Sequence, residues 1–171
     1  MSHIAAVVLA AGEASRFGSP KQRLLLPRVL ERLAAAPVND VVVVAGAYPL
    51  EAPATVRVVE CEDWVLGPGA SLRCGLAALG DEVEAAVVVL ADGPSLAPAA
   101  VERVLEEWRG RGGVVAASYS GSRGHPLVLG RDDWTAVPDE GLRTLAVRLV
   151  PCDDLGAPGD VDSPGDLDAH V

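Results

Sequence analysis

Lysine is almost absent from this 171-residue chain: of its 14 Lys and Arg residues 13 are arginine, and Lys21 stands alone. Cations as a class are also scarce, facing 24 Asp and Glu residues for a formal net charge of −10. An acidic chain repels polyphosphate backbones. No basic stripe is interleaved with aromatics, which make up only 4% of residues, so nucleic acid is excluded as an expected partner. The same balance argues against an anionic membrane surface, and apolar runs such as Val41 to Ala45 are far too short to span a bilayer. Only Cys61, Cys74 and Cys152 carry thiols; odd in number and without CxxC or Cys/His ligand spacing, they predict buried free thiols, not a disulfide framework or a zinc site. The chain has no basic segment ahead of its first apolar run, so no signal peptide is expected and the predicted location is cytoplasmic.

What is present is ample apolar material. With 50% hydrophobic residues, a chain of this length buries roughly 70% of its unfolded surface and needs no staple, which predicts one domain over residues 1–171. Isoleucine is nearly as rare as lysine, with Ile4 its sole representative, a bias that suggests a coding regime favouring Arg and Val. A lysine that persists in such a regime marks Lys21 as a candidate for chemistry.

Short valine-rich runs at Ile4 to Ala10, Val41 to Ala45, Val56 to Val59 and Ala85 to Ala91 lack alternation, as strands covered on both faces do. Helical patterns separate them: Val29 to Ala36 after Pro27, Ala70 to Leu79, and Ala99 to Trp108 after Pro98. This alternation predicts a three-layer α/β/α, Rossmann-like domain with a mostly parallel sheet. Further on, Val114 to Tyr119 and Pro126 to Leu129 read as strands around Ser120 to Gly124, a loop open to a hairpin or to substrate contacts, Asp139 to Leu149 as a helix, Val150 to Cys152 as a short strand, and Ser163 as the cap of a last helix. Trp64, Trp108 and Trp134 fall on different elements and are expected in the core or an interface.

Ligands of open α/β sheets bind beyond the carboxyl ends of the strands. Three segments are expected there: the loop from Ala11 to Lys21, the turn Asp92-Gly93-Pro94, and Gly67-Pro68-Gly69-Ala70-Ser71. The small residues Ala10, Ala11 and Gly12 let a ligand approach the backbone, while Arg16 and Lys21 concentrate positive charge. The spacing fits neither a Walker A loop nor GxGxxG.

Leu9, Ala10, Ala11, Gly12, Ser15, Arg16, Phe17, Gly18 and Lys21 fit the pattern L-A-[AG]-G-x-S-x-R-[FM]-G-x-x-K. The segment thereby resembles the signature of the MobA-like nucleotidyltransferases of molybdenum cofactor chemistry. Gly67 to Arg73 is similar to that family's G-x-x-x-S-L-R stretch near base and ribose, Ala91 to Pro94 to its A-D-Q-P turn, Gly124-His125-Pro126 to a G-H-P element of the cytidylyl branch, and Asp160 to Leu167 to D-I-D-T-P-E-D-L. The resemblance implies a nucleotide-diphospho-sugar-transferase-like fold and transfer of a nucleotidyl group from an NTP, with Leu-Ala-Ala-Gly leaning to CTP. The implied acceptor is phosphorylated, molybdopterin first, and a molybdoenzyme or its maturation factor is the implied protein partner.

On that reading Leu9, Ala10, Ala11, Gly12, Arg16, Lys21, Gly69 and Ser71 hold the nucleotide, and Arg16 and Lys21 neutralise its phosphates. Asp92, after a core strand, is a candidate Mg²⁺ ligand and catalytic residue, with Asp162 a second carboxylate and His125 an acceptor contact. Each has a plainer role open to it: Asp92 as a turn former, Asp162 as an acid at a helix start, His125 as a packed turn residue. Two departures from the family pattern bear on the acceptor. Gly93 stands where glutamine is usual, and the chain omits a Gly-Gly-x-Pro-Leu insert before Arg28-Val29-Leu30. Two other functions therefore stand beside the first, transfer to a sugar or alcohol phosphate and a non-catalytic nucleotide-binding module.

Overall fold

The computed structural model describes residues 2–11 and 21–159, with residues 21 and 22 described through their backbone only. Its elements run β1 (His3–Ala10), α1 (Lys21–Ala34), β2 (Asp40–Ala45), β3 (Arg57–Glu60), α2 (Pro68–Ala77), β4 (Val83–Leu90), α3 (Pro98–Arg111), β5 (Val114–Tyr119), β6 (Ser122–Gly130) and β7 (Arg148–Pro151). The strands form one seven-stranded sheet in the order β3-β2-β1-β4-β6-β5-β7. All pairings are parallel except those of β6, which runs antiparallel to both β4 and β5.

The unalternated sequence of β1 has its explanation in the two cores it serves. Ile4, Ala6, Val8 and Ala10 face one side, where Leu26, Val29 and Leu33 of α1 and Val101, Val104 and Leu105 of α3 meet them. Ala5 and Val7 face the other, against Leu72 and Leu76 of α2 and the ring of Trp134. Helices on both faces leave a parallel strand no wet side, and each fully buried Val or Leu contributes about 1.5–3 kcal/mol, so apolar residues fill both positions of the pleat. The three-layer, mostly parallel α/β architecture is the one the sequence predicts.

Four local readings are corrected. The first helix does not begin after Pro27 but at Lys21, and Pro27 lies inside it; burial of Leu25, Leu26, Val29 and Leu33 along one face outweighs the hydrogen bond that proline removes. The segment from Asp139 to Leu149 is not a helix. Gly141 takes φ 104, a single 3-10 turn covers Leu142–Thr144, and Arg148 onward pairs with β5. The β5–β6 connection is a hairpin, one of its two expected forms, but its turn is only the two residues Ser120 and Gly121, both at positive φ (52 and 78), and β6 already begins at Ser122 rather than Pro126. Finally, Cys61 and Cys74 are not free thiols but a disulfide, Cα atoms 5.9 Å apart, while Cys152 is free and buried. The last helix expected at Ser163 lies outside the described residues.

The tryptophans divide between the faces. Trp134 is buried with its indole N–H donated to the Leu129 carbonyl (2.9 Å), Trp108 packs on the α1/α3 face, and Trp64 on the α2 face.

Candidate functional site

The carboxyl ends of β1 and β4 lie side by side because these strands pair in register from Ile4↔Ala85 to Leu9↔Leu90. The register continues past the strand ends, where the Ala91 amide donates to the Leu9 carbonyl at 3.0 Å. Asp92 therefore leaves the sheet directly beside Leu9, Ala10 and Ala11. Ala11 is itself fixed: its carbonyl accepts from the Ala47 amide at 3.0 Å, and a Cβ on Gly46 would fall 2.8 Å from that of Ala11. Small residues here are dictated partly by packing between the ends of β1 and β2, where Trp64 also closes on Gly46.

His125 arrives from the neighbouring strand. β6 pairs antiparallel with β4 at Val88↔Leu127, which carries His125 toward the carboxyl end of β4. Burial pushes the His125 imidazole down to about 4, and the negative charge of Asp92, which favours the imidazolium, offsets only part of that. The two side chains are thus electrostatic neighbours, and His125 offers this edge of the sheet a neutral imidazole at neutral pH.

A cavity of about 320 Å³ opens beside these residues, lined by Leu90, Gly93, Leu96, Tyr119, His125 and Pro158 among others. Tyr119 braces it: its ring packs on Gly124, where a Cβ would lie 2.8 Å from the ring edge, and its hydroxyl donates to the His125 carbonyl at 2.7 Å. The opposite wall explains Gly93. A Cβ there would meet Pro158 at 3.1 Å, and the Ser95 amide donates to the Pro158 carbonyl at 2.8 Å. Pro158 occupies the ground that a longer side chain at position 93 would need.

The third expected segment, Gly67 to Ser71, opens α2. Pro68 takes the first helical position, where its missing N–H costs nothing. Gly67 and Gly69 face protein backbone: a Cβ on Gly69 would lie 1.6 Å from the Pro138 carbonyl oxygen, and one on Gly67 2.3 Å from that of Asp139. Arg73 locks the same loop by donating to the Val137 carbonyl (2.7 Å) and pairing with the Asp139 carboxylate. Ser71 is only 4% exposed. The loop from Val137 to Asp139 belongs to this corner, which the sequence does not reveal: Asp139 is expected to start a helix, and Val137 and Pro138 carry no expectation. Position 69 was the available signal, since glycine in a first helical turn marks a close backbone approach.

Gly12, Arg16 and Asp162 lie outside the described residues, as does the side chain of Lys21, whose backbone begins α1. Among the described residues the structure gathers Leu9, Ala10, Ala11, Asp92 and His125 at one edge and sets Gly69 and Ser71 at the start of α2. A carboxylate at Asp92 is a hard oxygen donor suited to Mg²⁺ in company with water and phosphate oxygens. A larger cavity of about 720 Å³ lies among Leu30, Leu33, Val38 and Val56, with Glu31 and Glu51 on its walls, which suits no triphosphate.

No curated protein matches the chain at a significant level. Among solved structures it is similar to Rv0371c from Mycobacterium tuberculosis H37Rv, with 26% identity, a TM-score of 0.81, and coverage of 98% of this chain and 97% of that one. It has the fold of a nucleotidyl transferase from Methanothermobacter (20% identity, TM-score 0.74, 99% and 96% covered). The same holds for a CMP:2-keto-3-deoxy-manno-octonic acid synthetase complexed with CTP (14%, TM-score 0.73, 98% and 96% covered). The family model of the MobA-like NTP transferase domain matches residues 6–149, over strands β1 to β6 and into β7, and the chain belongs to that family.

Proposed function

We propose that this protein transfers a nucleotidyl group, cytidylyl first, from an NTP to a phosphorylated small-molecule acceptor, releasing pyrophosphate. The observation that carries this reading is the juxtaposition at the carboxyl edge of β1 and β4, where the Ala91–Leu9 hydrogen bond sets Asp92 beside the start of the signature loop. Family membership supports the reaction class. CTP is supported by a structural relative crystallised with it and by the sequence pattern Leu-Ala-Ala-Gly.

In the proposed reaction an acceptor phosphate oxygen forms a bond to the α-phosphorus of the NTP as the bond from that phosphorus to the α–β bridging oxygen breaks. The attacking phosphate is largely dianionic at neutral pH, its second pKa being about 6, so no general base is required. Repulsion between anions is the obstacle, and catalysis is positioning and charge neutralisation. Gly12 and its neighbours Leu9, Ala10 and Ala11 bring backbone close to the triphosphate, Arg16 and Lys21 neutralise the α-phosphate and departing pyrophosphate, and Gly69 and Ser71 border base and ribose. Asp92 and Asp162 would hold Mg²⁺, which when bound would supply Lewis-acid screening of the phosphate oxygens. A manganese complex of Rv0371c shows that a relative takes a divalent ion. Neutral His125 borders the acceptor, where it donates or accepts one hydrogen bond without adding charge.

Molybdopterin is the first acceptor candidate, the reaction is placed in the cytoplasm, and a molybdoenzyme or maturation factor would receive the product. A more compact sugar or alcohol phosphate is a second reading, favoured by Pro158 standing against Gly93 and by a cavity of about 320 Å³, near the lower end of ligand pockets. Pyrophosphate release measured with each NTP, Mg²⁺ and each acceptor class tests both. Turnover is expected with CTP above GTP, and nucleotide binding with no turnover on any acceptor would replace the enzyme with a binding module.

A further inference from the structure

We propose that the opposite, amino-terminal edge of the sheet carries a divalent transition-metal site built by His3, Asp40 and Glu82. Parallel strands start at the same edge. His3 opens β1, Asp40 opens β2 and Glu82 immediately precedes β4, and these strands are neighbours in the order β2-β1-β4. One ligand atom from each residue lies within 4.8 Å of the other two, and His3 Nε2 is 3.0 Å from Asp40 Oδ2.

The segments that carry these groups are held by backbone. The Ile4 amide donates to Asn39 Oδ1 at 2.8 Å and the Asn39 amide to the Ile4 carbonyl at 2.7 Å, fixing the starts of β1 and β2 against each other. Between His3 and Ile4 the pairing with β4 shifts register, so His3 sits opposite Val83, next to Glu82. Gly80 leaves open space beside the third group: a Cβ there would lie 2.3 Å from Glu82 Oε2, the far end of a flexible side chain. Glu82 is the exposed member, and rotation of its side chain closes the remaining distance to the bonds of about 2.0–2.2 Å that zinc makes to nitrogen and oxygen.

One imidazole and two carboxylates make a mixed N/O set. It suits Zn²⁺ or Co²⁺ better than Mg²⁺, which keeps to oxygen and water. Three protein ligands leave coordination positions for water. β1 spans eight residues, so at about 3.3 Å per residue the site lies roughly 25 Å from the carboxyl edge that holds Asp92. It is separate from any nucleotide-bound Mg²⁺.

The test is calorimetric titration of the tag-free full chain with ZnCl₂ in the absence of nucleotide, joined to visible absorption of the Co²⁺-loaded protein. One ion per chain is expected. His3→Gln and Asp40→Asn should each weaken it at least tenfold and change the Co²⁺ spectrum, Glu82→Gln should weaken it less, and Asp92→Asn should leave it in place. Glu82 is exposed and His3, Asp40 and Asp92 are half-buried, so thermal melting of the metal-free variants checks that they fold. Retention of wild-type Zn²⁺ affinity in both His3→Gln and Asp40→Asn, or loss of the ion in Asp92→Asn alone, would overturn the site.

Discussion

Gly69 and Pro138 meet backbone to backbone, so close that a Cβ on the glycine would fall 1.6 Å from the proline carbonyl oxygen, while the Gly69 amide donates to the next carbonyl, that of Asp139, at 2.9 Å. The start of α2 and the loop from Val137 to Asp139 are therefore one packed unit. Gly69→Ala must push them apart, at the cost of about 1–3 kcal/mol that overpacking typically carries. Urea denaturation should show that loss, and the nucleotide KM should rise with it because Ser71 shares the same helical turn.

The disulfide brackets that unit. Cys61 follows β3 and Cys74 lies within α2, so the bond closes a 13-residue separation that contains Gly67 to Ser71. By the chain-entropy account a loop of that size stabilises by about 3 kcal/mol. Cys74→Ser, or a dithiol reductant added to the wild type, should lower the melting temperature, with the reductant having no further effect on the variant. Equal melting temperatures in reduced and oxidised protein would remove the bond from the stability of this corner.

Tyr119 supplies a pH dependence. Burial pushes its phenol up to about 12, with the nearby Cys152 and Asp153 adding to the effect. The folded protein then keeps the proton over a range, from about 10 upward, in which the unfolded chain releases it. This contribution to stability is complete below pH 10 and lost as pH rises toward 12. Tyr119→Phe should flatten that decline in denaturation experiments, and the phenolate absorbance missing from the variant should titrate near 12.

Gly93 offers a test of the acceptor side. A glutamine placed there has to displace Pro158, whose Cβ would stand 3.1 Å from the new one. Gly93→Gln should raise the KM for the acceptor several-fold and leave that for the nucleotide near its wild-type value. A change in nucleotide KM alone would dissociate the Pro158 cavity from the acceptor.

Much of this organisation was legible in the residues. β1 and β4 announced themselves because strands buried on both faces can afford no polar alternation, and Asp92 followed from being the first carboxylate beyond such a strand. The disulfide was not legible: Cys61 and Cys74 meet only because the short turn over Glu62–Leu66 brings α2 back under the sheet, a consequence of tertiary packing that no spacing encodes. The helix expected from Asp139 failed for a similar reason. Its apolar positions, Leu142 among them, pack against the α2 face, while Gly141 at φ 104 and the pairing of Arg148 and Leu149 with β5 turn the chain away from helix. His125 was visible as a residue type, but its proximity to Asp92 rests on the antiparallel entry of β6 beside β4.

The most direct measurement is the rate of pyrophosphate release from CTP with Mg²⁺ and a phosphorylated acceptor, compared among the wild type, Asp92→Asn and Lys21→Ala. Loss of one preorganised charge from such a site typically costs about 10²–10³ in kcat. Both variants are expected to fall by that order while their urea midpoints stay within error of the wild type. Full Mg²⁺-dependent turnover in Asp92→Asn, or in Lys21→Ala, would contradict the assignment of the carboxyl edge of β1 and β4 as the catalytic centre.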